Sequence, residues 1–384
     1  MSGSAPQRTL ETSAGDLDGR ALESAAEGRF DLLVGSARFF QAFAADAATA
    51  TERLWVQTLS FEGDAGEALT ELFEASGAAD RRLIVDDFNR WTQQDRFTVL
   101  PGNMVDRELR RHVARTRALE ARIRASGTRL MYANPAGFWK LRAAYRNHKK
   151  ILVVDDRVAY IGGINFSDHN FAWHDLMIRI TDPDIVALLA RDVEHTWSGR
   201  DVGVHESFPG LDLILLDGES NDRWFQPVID LLEGARRSIR IQSAYISMPF
   251  TEILGRAAAR GVEVTILGAG QTNRQYLNRY TAWESWRHGF ELRFLPQMTH
   301  MKAIVVDDEV LIAGSANFDH LSYHVLQEVV AIITDPGLRA QFEERVWTPD
   351  YARAEPVDLG PDPGGDALFR RIDRVSRFLV RIGR

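Results

Sequence analysis

Apolar positions along this chain switch repeatedly between a helical and a strand-like period. The stretch FDLLVGSARFFQAFAADA, from Phe30, has helical apolar spacing, whereas RLWVQTLSF, Arg53 to Phe61, is a β-branched and aromatic run suited to a buried strand. EALTELFEAS then predicts a helix, RRLIVDDF (Arg81 to Phe88) a strand, the charged stretch through Glu108 to Ala125 a helix, and TRLMYA (Thr128 to Ala133) a strand. Helix and strand in turn are the pattern of an α/β lobe. Between Ser198 and Gly218, glycines and a proline interrupt any helical period, which predicts a connection between lobes. Beyond it the order repeats. Helices are predicted at Trp224 to Ala235, at TEILGRAAAR and near Tyr280 to His288, and strands at Arg237 to Ile246, Val262 to Ala269 and Glu291 to Pro296.

The repetition is sharpest between HKKILVVDDRVAYIGGINF (148–166) and HMKAIVVDDEVLIAGSANF (300–318), where ten of nineteen positions are identical. ITDP recurs from Ile180 and Ile333, and Trp197 and Trp347 close the two segments. Self-similarity over half a chain means a duplicated domain. The expected organisation is a flexible arm at 1–29, a first lobe at 30–205, a second at 206–350 and a tail at 351–384. Each lobe should be a mixed β-sheet flanked by helices, with one site at the pseudo-twofold interface.

Composition narrows the function. The 384 residues, 45% hydrophobic and 26% charged, suit two well-buried lobes of a soluble protein. The absence of cysteine excludes disulfides, thiolate metal sites, iron–sulfur clusters and a cysteine nucleophile. A net charge of -8 weighs against broad nucleic-acid binding. No apolar run approaches the roughly eighteen residues of a membrane span, and Met1 to Gly19 lacks the apolar core of a signal peptide. A cytoplasmic protein is expected.

Each repeat contains HxKxxxxD followed by a small residue and an asparagine: His148, Lys150, Asp155, Gly163 and Asn165, then His300, Lys302, Asp307, Ser315 and Asn317. Histidine and lysine two apart on a strand share a face and can converge on one anion. Asp155 and Asp307 suit the turn that follows, and the Gly163 and Ser315 loops can bring backbone and asparagine donors to the same anion. Two imidazoles across a phosphate divide phosphodiester exchange between a nucleophile and a proton donor. Lysine and asparagine offset charge on the phosphoryl oxygens. There is no HExxH or carboxylate-rich metal motif, and neither metal nor cofactor is expected.

These motifs resemble the phospholipase D superfamily with two HKD motifs, most closely its bacterial cardiolipin-synthase-like branch. The likeness runs from about Phe30 to Trp347 and is densest in RNHKKILVVDDRVAYIGGINFSD (Arg146 to Asp168) and WHDLMIRITDP (Trp173 to Pro183). The resemblance implies that His148 forms a phosphohistidine and that His300 serves as acid, then base. It also implies a carboxylate for each histidine, crossed between halves, with Glu328 orienting His148 and Asp175 orienting His300. It further implies phosphatidyl transfer, foremost cardiolipin synthesis from phosphatidylglycerol. Hydrolysis to phosphatidic acid, a family nuclease and a silent membrane-binding module are the alternatives. The second half departs from the family pattern at Leu321, Leu326 and Ala244.

Other segments bear on where such an enzyme sits. Phe138, Trp139 and Tyr145 alternate with Lys140, Arg142 and Arg146, which suits a lipid-headgroup lip or a loop packed on its own lobe. His169, His174, His320 and His324 suit the mouth of the site or the ordinary surface. The tail ALFRRIDRVSRFLVRIGR places Leu368, Phe369, Ile372, Val375, Leu379 and Ile382 on one helical face, with Arg370, Arg371, Arg374, Arg377 and Arg381 among its arginines. It suits a helix on anionic lipid or one docked on the body. A peripheral position on the inner face of the cytoplasmic membrane is expected.

Overall fold

A computed structural model describes residues 28–378, apart from 136, 138–143, 361–364, 366, 372–373 and 376–377. The first part of the chain contributes strands β1 (Phe30–Val34), β2 (Arg53–Thr58), β3 (Asp80–Asp86), β4 (Thr92–Gln93), β5 (Arg96–Phe97) and β6 (Arg129–Ala133). β7 (Arg146–Asn147), β8 (Ile151–Val154), β9 (Val158–Gly162) and β10 (Leu176–Ile180) follow. The second contributes β11 (Val204–Phe208), β12 (Leu211–Leu215), β13 (Ser238–Ser243), β14 (Glu263–Ala269) and β15 (Glu291–Leu295). It continues with β16 (Lys302–Val306), β17 (Val310–Gly314), β18 (Leu326–Gln327), β19 (Val329–Ile333) and β20 (Glu355–Pro356).

One sheet has the order β1-β10-β9-β8-β2-β3-β6, and the other β11-β12-β19-β17-β16-β13-β14-β15-β20. Without β11 and β20, the second order repeats the first strand for strand. In both, the pairs β2/β3/β6 and β13/β14/β15 are parallel and the remainder antiparallel. The fold is therefore two duplicated α/β lobes, each a mixed sheet flanked by helices.

The continuous apolar runs of β8 and β16 are explained by burial on both faces. Ile151 and Val153 point into a core shared between the lobes, where they meet Ala303 and Val305 of β16. Leu152 and Val154 point outward beneath the helices at Ser36–Ala48 and Gly63–Ala75, and Ile304 and Val306 do the same in the second lobe. Both strands behind the HKD histidines are thus anchored from two sides.

Three expectations need correction. Phe30–Val34 is a strand paired with β10, and the helix begins only at Ser36, after Gly35 at φ +82° breaks the chain direction. The expected connection at 198–218 contains the antiparallel hairpin β11–β12, turning at Gly210 (φ +81°) and pairing through β12 with β19. Here glycine marks a turn within sheet structure rather than its end. The helix expected over Trp224 to Ala235 is two helices, Asn221–Trp224 and Gln226–Gly234.

The tail adds β20 to the edge of β15, and residues 367–371, 374–375 and 378 are helical. Its apolar face is divided rather than shared: Phe369 is buried against Tyr280 and Trp283, while Leu368, Val375 and Phe378 are exposed. Ile372, Arg377, Leu379, Arg381 and Ile382 lie outside the described residues, as do Phe138, Trp139, Lys140, Arg142 and most of the 1–29 arm. Among the described residues, no helix is long and apolar enough to cross a membrane.

Candidate active site

Backbone pairing between the lobes brings the two motifs together. Parallel pairing of β18 with β7 sets Gln327 opposite Asn147, and His148 N–H donates to Gln327 O at 2.9 Å, so the next residue, Glu328, meets His148. The counterpart is a parallel bridge between His174 and Thr299, with His300 N–H donating to His174 O at 2.8 Å. That register places Asp175 at His300. The side chains complete the crossing: His148 Nδ1 lies 2.8 Å from Glu328 Oε1, and His300 Nδ1 lies 2.7 Å from Asp175 Oδ2.

All four groups are buried, and their charges are mutually adjusted. Burial would raise both carboxyl pKa values, but the facing histidine and lysine charges and their hydrogen bonds hold Asp175 and Glu328 below the ordinary range. An ionised carboxylate only accepts, so Nδ1 of each imidazole carries the proton and Nε2 holds a lone pair. Burial also depresses both imidazoles, reinforced by Lys150 beside His148 and Lys302 beside His300 and opposed by the paired carboxylates. Both rings are therefore neutral at pH 7.

The two lobes support their carboxylates differently. A Cβ at Gly163 would overlap the Asp175 carboxylate, so glycine is required where the shorter acid packs against the loop. At the equivalent position, Ser315 Oγ donates to Glu328, and Ser322 Oγ donates to it at 2.9 Å. The Ser315 hydroxyl thus supports the carboxylate. Ser322 escaped the sequence reading because it falls in the segment that departs from the first repeat.

His148, His300, Asn165 and Asn317 line one cleft between the lobes, together with Trp173, Tyr245 and Arg274. Asn165 is fixed, its amide oxygen accepting from Leu59 N–H and its Nδ2 donating to Asn170. Asn317 keeps a buried amide oxygen without a partner among the described residues. Trp173 and Tyr245 flank His300 with ring centroids at 5.0 and 5.9 Å, and the Arg274 guanidinium lies over Tyr245.

The lysines depart from the expected arrangement. His148 and His300 lie just before β8 and β16 rather than on a strand with their lysines, and both ammonium groups are buried. Lys150 Nζ donates to His148 O at 2.6 Å, and Lys302 Nζ donates to His300 O. Burial lowers Lys150 to about 7 and Lys302 to about 8. Each braces the backbone of its own histidine, and Lys302 Nζ also lies 3.8 Å from Asp175 Oδ2.

Asp155 and Asp307 lie at the opposite ends of these strands. Asp155 accepts from the N–H groups of Glu52 and Arg53 at 2.9 and 3.0 Å, and Asp307 from those of Arg237 and Ser238 at 2.7 and 2.9 Å. Each carboxylate ties a left-handed turn (φ +50° and +53°) to the start of the neighbouring strand. Asp155→Ala leaves these donors unpaired and should lower unfolding stability by about 2–3 kcal/mol. A denaturant midpoint equal to wild type would refute that role.

Of the neighbouring histidines, His169 lines the cleft, and His174 bonds Asp350 at 2.6 Å beneath His300. The rings of His320 and His324 pack on each other.

Comparison with known proteins places this geometry. The family described as "Cardiolipin synthase, PLD-like domain" matches residues 45–197 and again 228–348. The chain belongs to that phospholipase D-like family. Among similar relatives are cardiolipin synthase A of Pseudomonas putida, 26% identical over 64% of this chain and 55% of its own length, and cardiolipin synthase 2 of Staphylococcus epidermidis, 28% identical over 53% and 47%. This phospholipase D-like chain thus spans about half the length of these curated relatives. In fold it is similar to the phosphatidylserine synthase of Haemophilus influenzae, with a TM-score of 0.64 and 15% identity over 92% of this chain and 95% of that one. The polyphosphate kinase of Porphyromonas gingivalis shares the fold at a TM-score of 0.60 and 14% identity, over 96% of this chain and 57% of the kinase.

Proposed function

We propose that the chain is a phosphatidyltransferase that works through a phosphohistidine, with cardiolipin synthesis from phosphatidylglycerol as its reaction. The observation that carries this reading is the pair of neutral imidazoles on one cleft, each with Nδ1 held by a carboxylate from the other repeat. His148 Nε2 attacks phosphorus, forming the N–P bond as the P–O bond to the headgroup alcohol breaks. With the phosphodiester bound, His300 takes up a solvent proton at Nε2 and gives it to that alcohol. His300 then takes the proton of the acceptor hydroxyl, whose oxygen displaces His148 and restores the phosphodiester. The acid needs a proton that burial disfavours, and the incoming phosphodiester supplies the missing negative charge. Asn165 and Asn317 face the phosphoryl oxygens in this scheme, while the buried lysines contribute charge through the histidine backbone.

The test is mass spectrometry of lipids after incubation with phosphatidylglycerol liposomes, with and without phosphatidylethanolamine, using His148→Ala as control. Cardiolipin formed only by the intact protein supports the reading, and the released alcohol identifies the donor. Phosphatidic acid alone would make hydrolysis the reaction instead.

The pH dependence follows from the same charges. Because the imidazoles are depressed, neutral His148 persists below its ordinary pKa, and the acid limb of kcat/KM should fall at a pH below about 6.5. The alkaline limb of kcat should follow loss of the proton that the bound phosphodiester helps His300 to hold, with loss of the Lys150 and Lys302 charges, at about 7 and about 8, adding to the fall. An acid limb above pH 6.5 would show that burial does not set the state of the nucleophile.

A further inference from the structure

One surface feature near the cleft has no part in the chemistry above. Phe97, Val99, Leu100, Met104 and Val105 are all exposed, Val105 at 75%, within a span of nine residues. They form a ridge made of the end of β5 and the short helix Pro101–Met104. A soluble surface rarely concentrates large apolar side chains in this way without a partner.

The ridge is rigidly attached to the cleft. Phe97 stacks on Trp91 and meets Phe88 edge-on, and Phe88 itself lines the cleft. At the tip of the β4–β5 hairpin, Asp95 accepts from Asn273 Nδ2 of the second lobe at 3.0 Å, and both residues also line the cleft. Tyr276, half exposed, stands three residues beyond Asn273 on the same rim. The apolar surface therefore borders the opening through which substrate reaches His148 and His300.

Charge identifies the partner. The helix Arg107–Ala125 begins directly after the ridge, and its exposed Arg107, Arg110 and Arg111 have no side-chain partner among the described residues. Glu108 lies among them and Asp106 is paired with Arg96, so in a chain of net charge -8 the exposed start of this helix keeps a small positive excess. Apolar side chains backed by arginines are the signature of a surface that enters the headgroup region of an anionic bilayer.

We propose that residues 97–105, with Arg107, Arg110 and Arg111, form a membrane-docking ridge that seats the cleft mouth on anionic lipid. The proposal deepens the phospholipid reading and names the surface that presents the site to its substrate.

Binding and turnover separate the two ideas. In a His148→Ala background, sedimentation with vesicles of phosphatidylcholine containing about a quarter phosphatidylglycerol measures docking alone. Adding Leu100→Glu and Met104→Glu should weaken vesicle binding at least about tenfold, and Arg110→Glu with Arg111→Glu should weaken it on anionic but not on neutral vesicles. With His148 intact, the Leu100 and Met104 variants should turn over a soluble short-chain phospholipid at the wild-type rate. Unchanged vesicle binding would overturn the ridge, whatever the enzyme activity. Loss of binding in a chain that turns over no phospholipid would leave the ridge standing and sink the transferase reading.

A second measurement does not depend on the folding of charged variants. Because the chain has no cysteine, Val105→Cys can carry a single environment-sensitive fluorophore, with Glu309→Cys at the far end of β16 as control. Vesicles should shift the Val105 probe to the blue and expose it to a lipid-borne quencher, leaving the Glu309 probe unchanged. Equal behaviour of the two probes would reject the ridge.

Discussion

Replacing either His148 or His300 by alanine should lower turnover of a natural phospholipid by at least about 10²- to 10⁴-fold, and the two losses should differ in kind. On the proposed scheme, His148→Ala removes the atom that bonds to phosphorus, so no covalent adduct should form with any donor. His300→Ala removes the proton donor, which matters only while the leaving alcohol is a poor one. A donor carrying p-nitrophenol as leaving group should therefore restore adduct formation in His300→Ala and leave His148→Ala silent. Protein denatured in detergent at mildly alkaline pH, where the P–N bond survives, and examined for a phosphohistidine reads the difference directly. The opposite rescue would exchange the two roles, and near-normal turnover in either variant would place the chemistry elsewhere.

Glu328→Gln and Asp175→Asn should each cost on the order of 10²-fold or more in kcat with little change in KM, because each removes the charge that fixes one imidazole and supports its positive form. The crossed geometry makes this effect specific. Glu328 raises the pKa of His148, so its replacement should also move the acid limb of kcat/KM to still lower pH. A merely structural carboxylate would not shift that limb. Ser315→Ala and Ser322→Ala remove donors to the same carboxylate, and they should move activity in the same direction by a smaller factor.

Both carboxylates are buried against partners on the other repeat, so the consequences extend to how the halves are joined. The site is completed by two short backbone crossings, Gln327 with Asn147 and His174 with Thr299. Their register places Glu328 and Asp175, while the large core between the lobes holds the crossings in place. Loosening that core should separate each histidine from its carboxylate without touching either motif. This is why two well-formed motifs do not suffice to make a site unless the halves pack.

Much of this was legible in the chain. Period-two and helical apolar spacing located most strands and helices, and the matching 148–166 and 300–318 segments declared a duplicated α/β protein. The same segments displayed the histidines, lysines and asparagines, because covalent spacing along a strand and turn is local. Glycine was a poorer guide. Gly35 and Gly210 sit at sharp turns beside paired strands, and a pattern of single residues does not distinguish a turn within a sheet from the end of one.

What only the tertiary structure decided depends on groups far apart in the chain. Ser315 supports Glu328, and Gly163 leaves room for Asp175, because one carboxylate is a methylene longer than the other and each loop fills the remaining space. Lys150 and Lys302 turn to their own histidine carbonyls. Phe369 leaves the exposed face of the tail to pack on Tyr280 and Trp283, and the ridge at 97–105 acquires its meaning from its place beside the cleft. Sequence thus determined which chemical groups the protein carries and the local elements that present them. The packing of one repeat against the other determined their partners, protonation and exposure, because desolvation and charge coupling act through space and are not encoded in spacing along the chain.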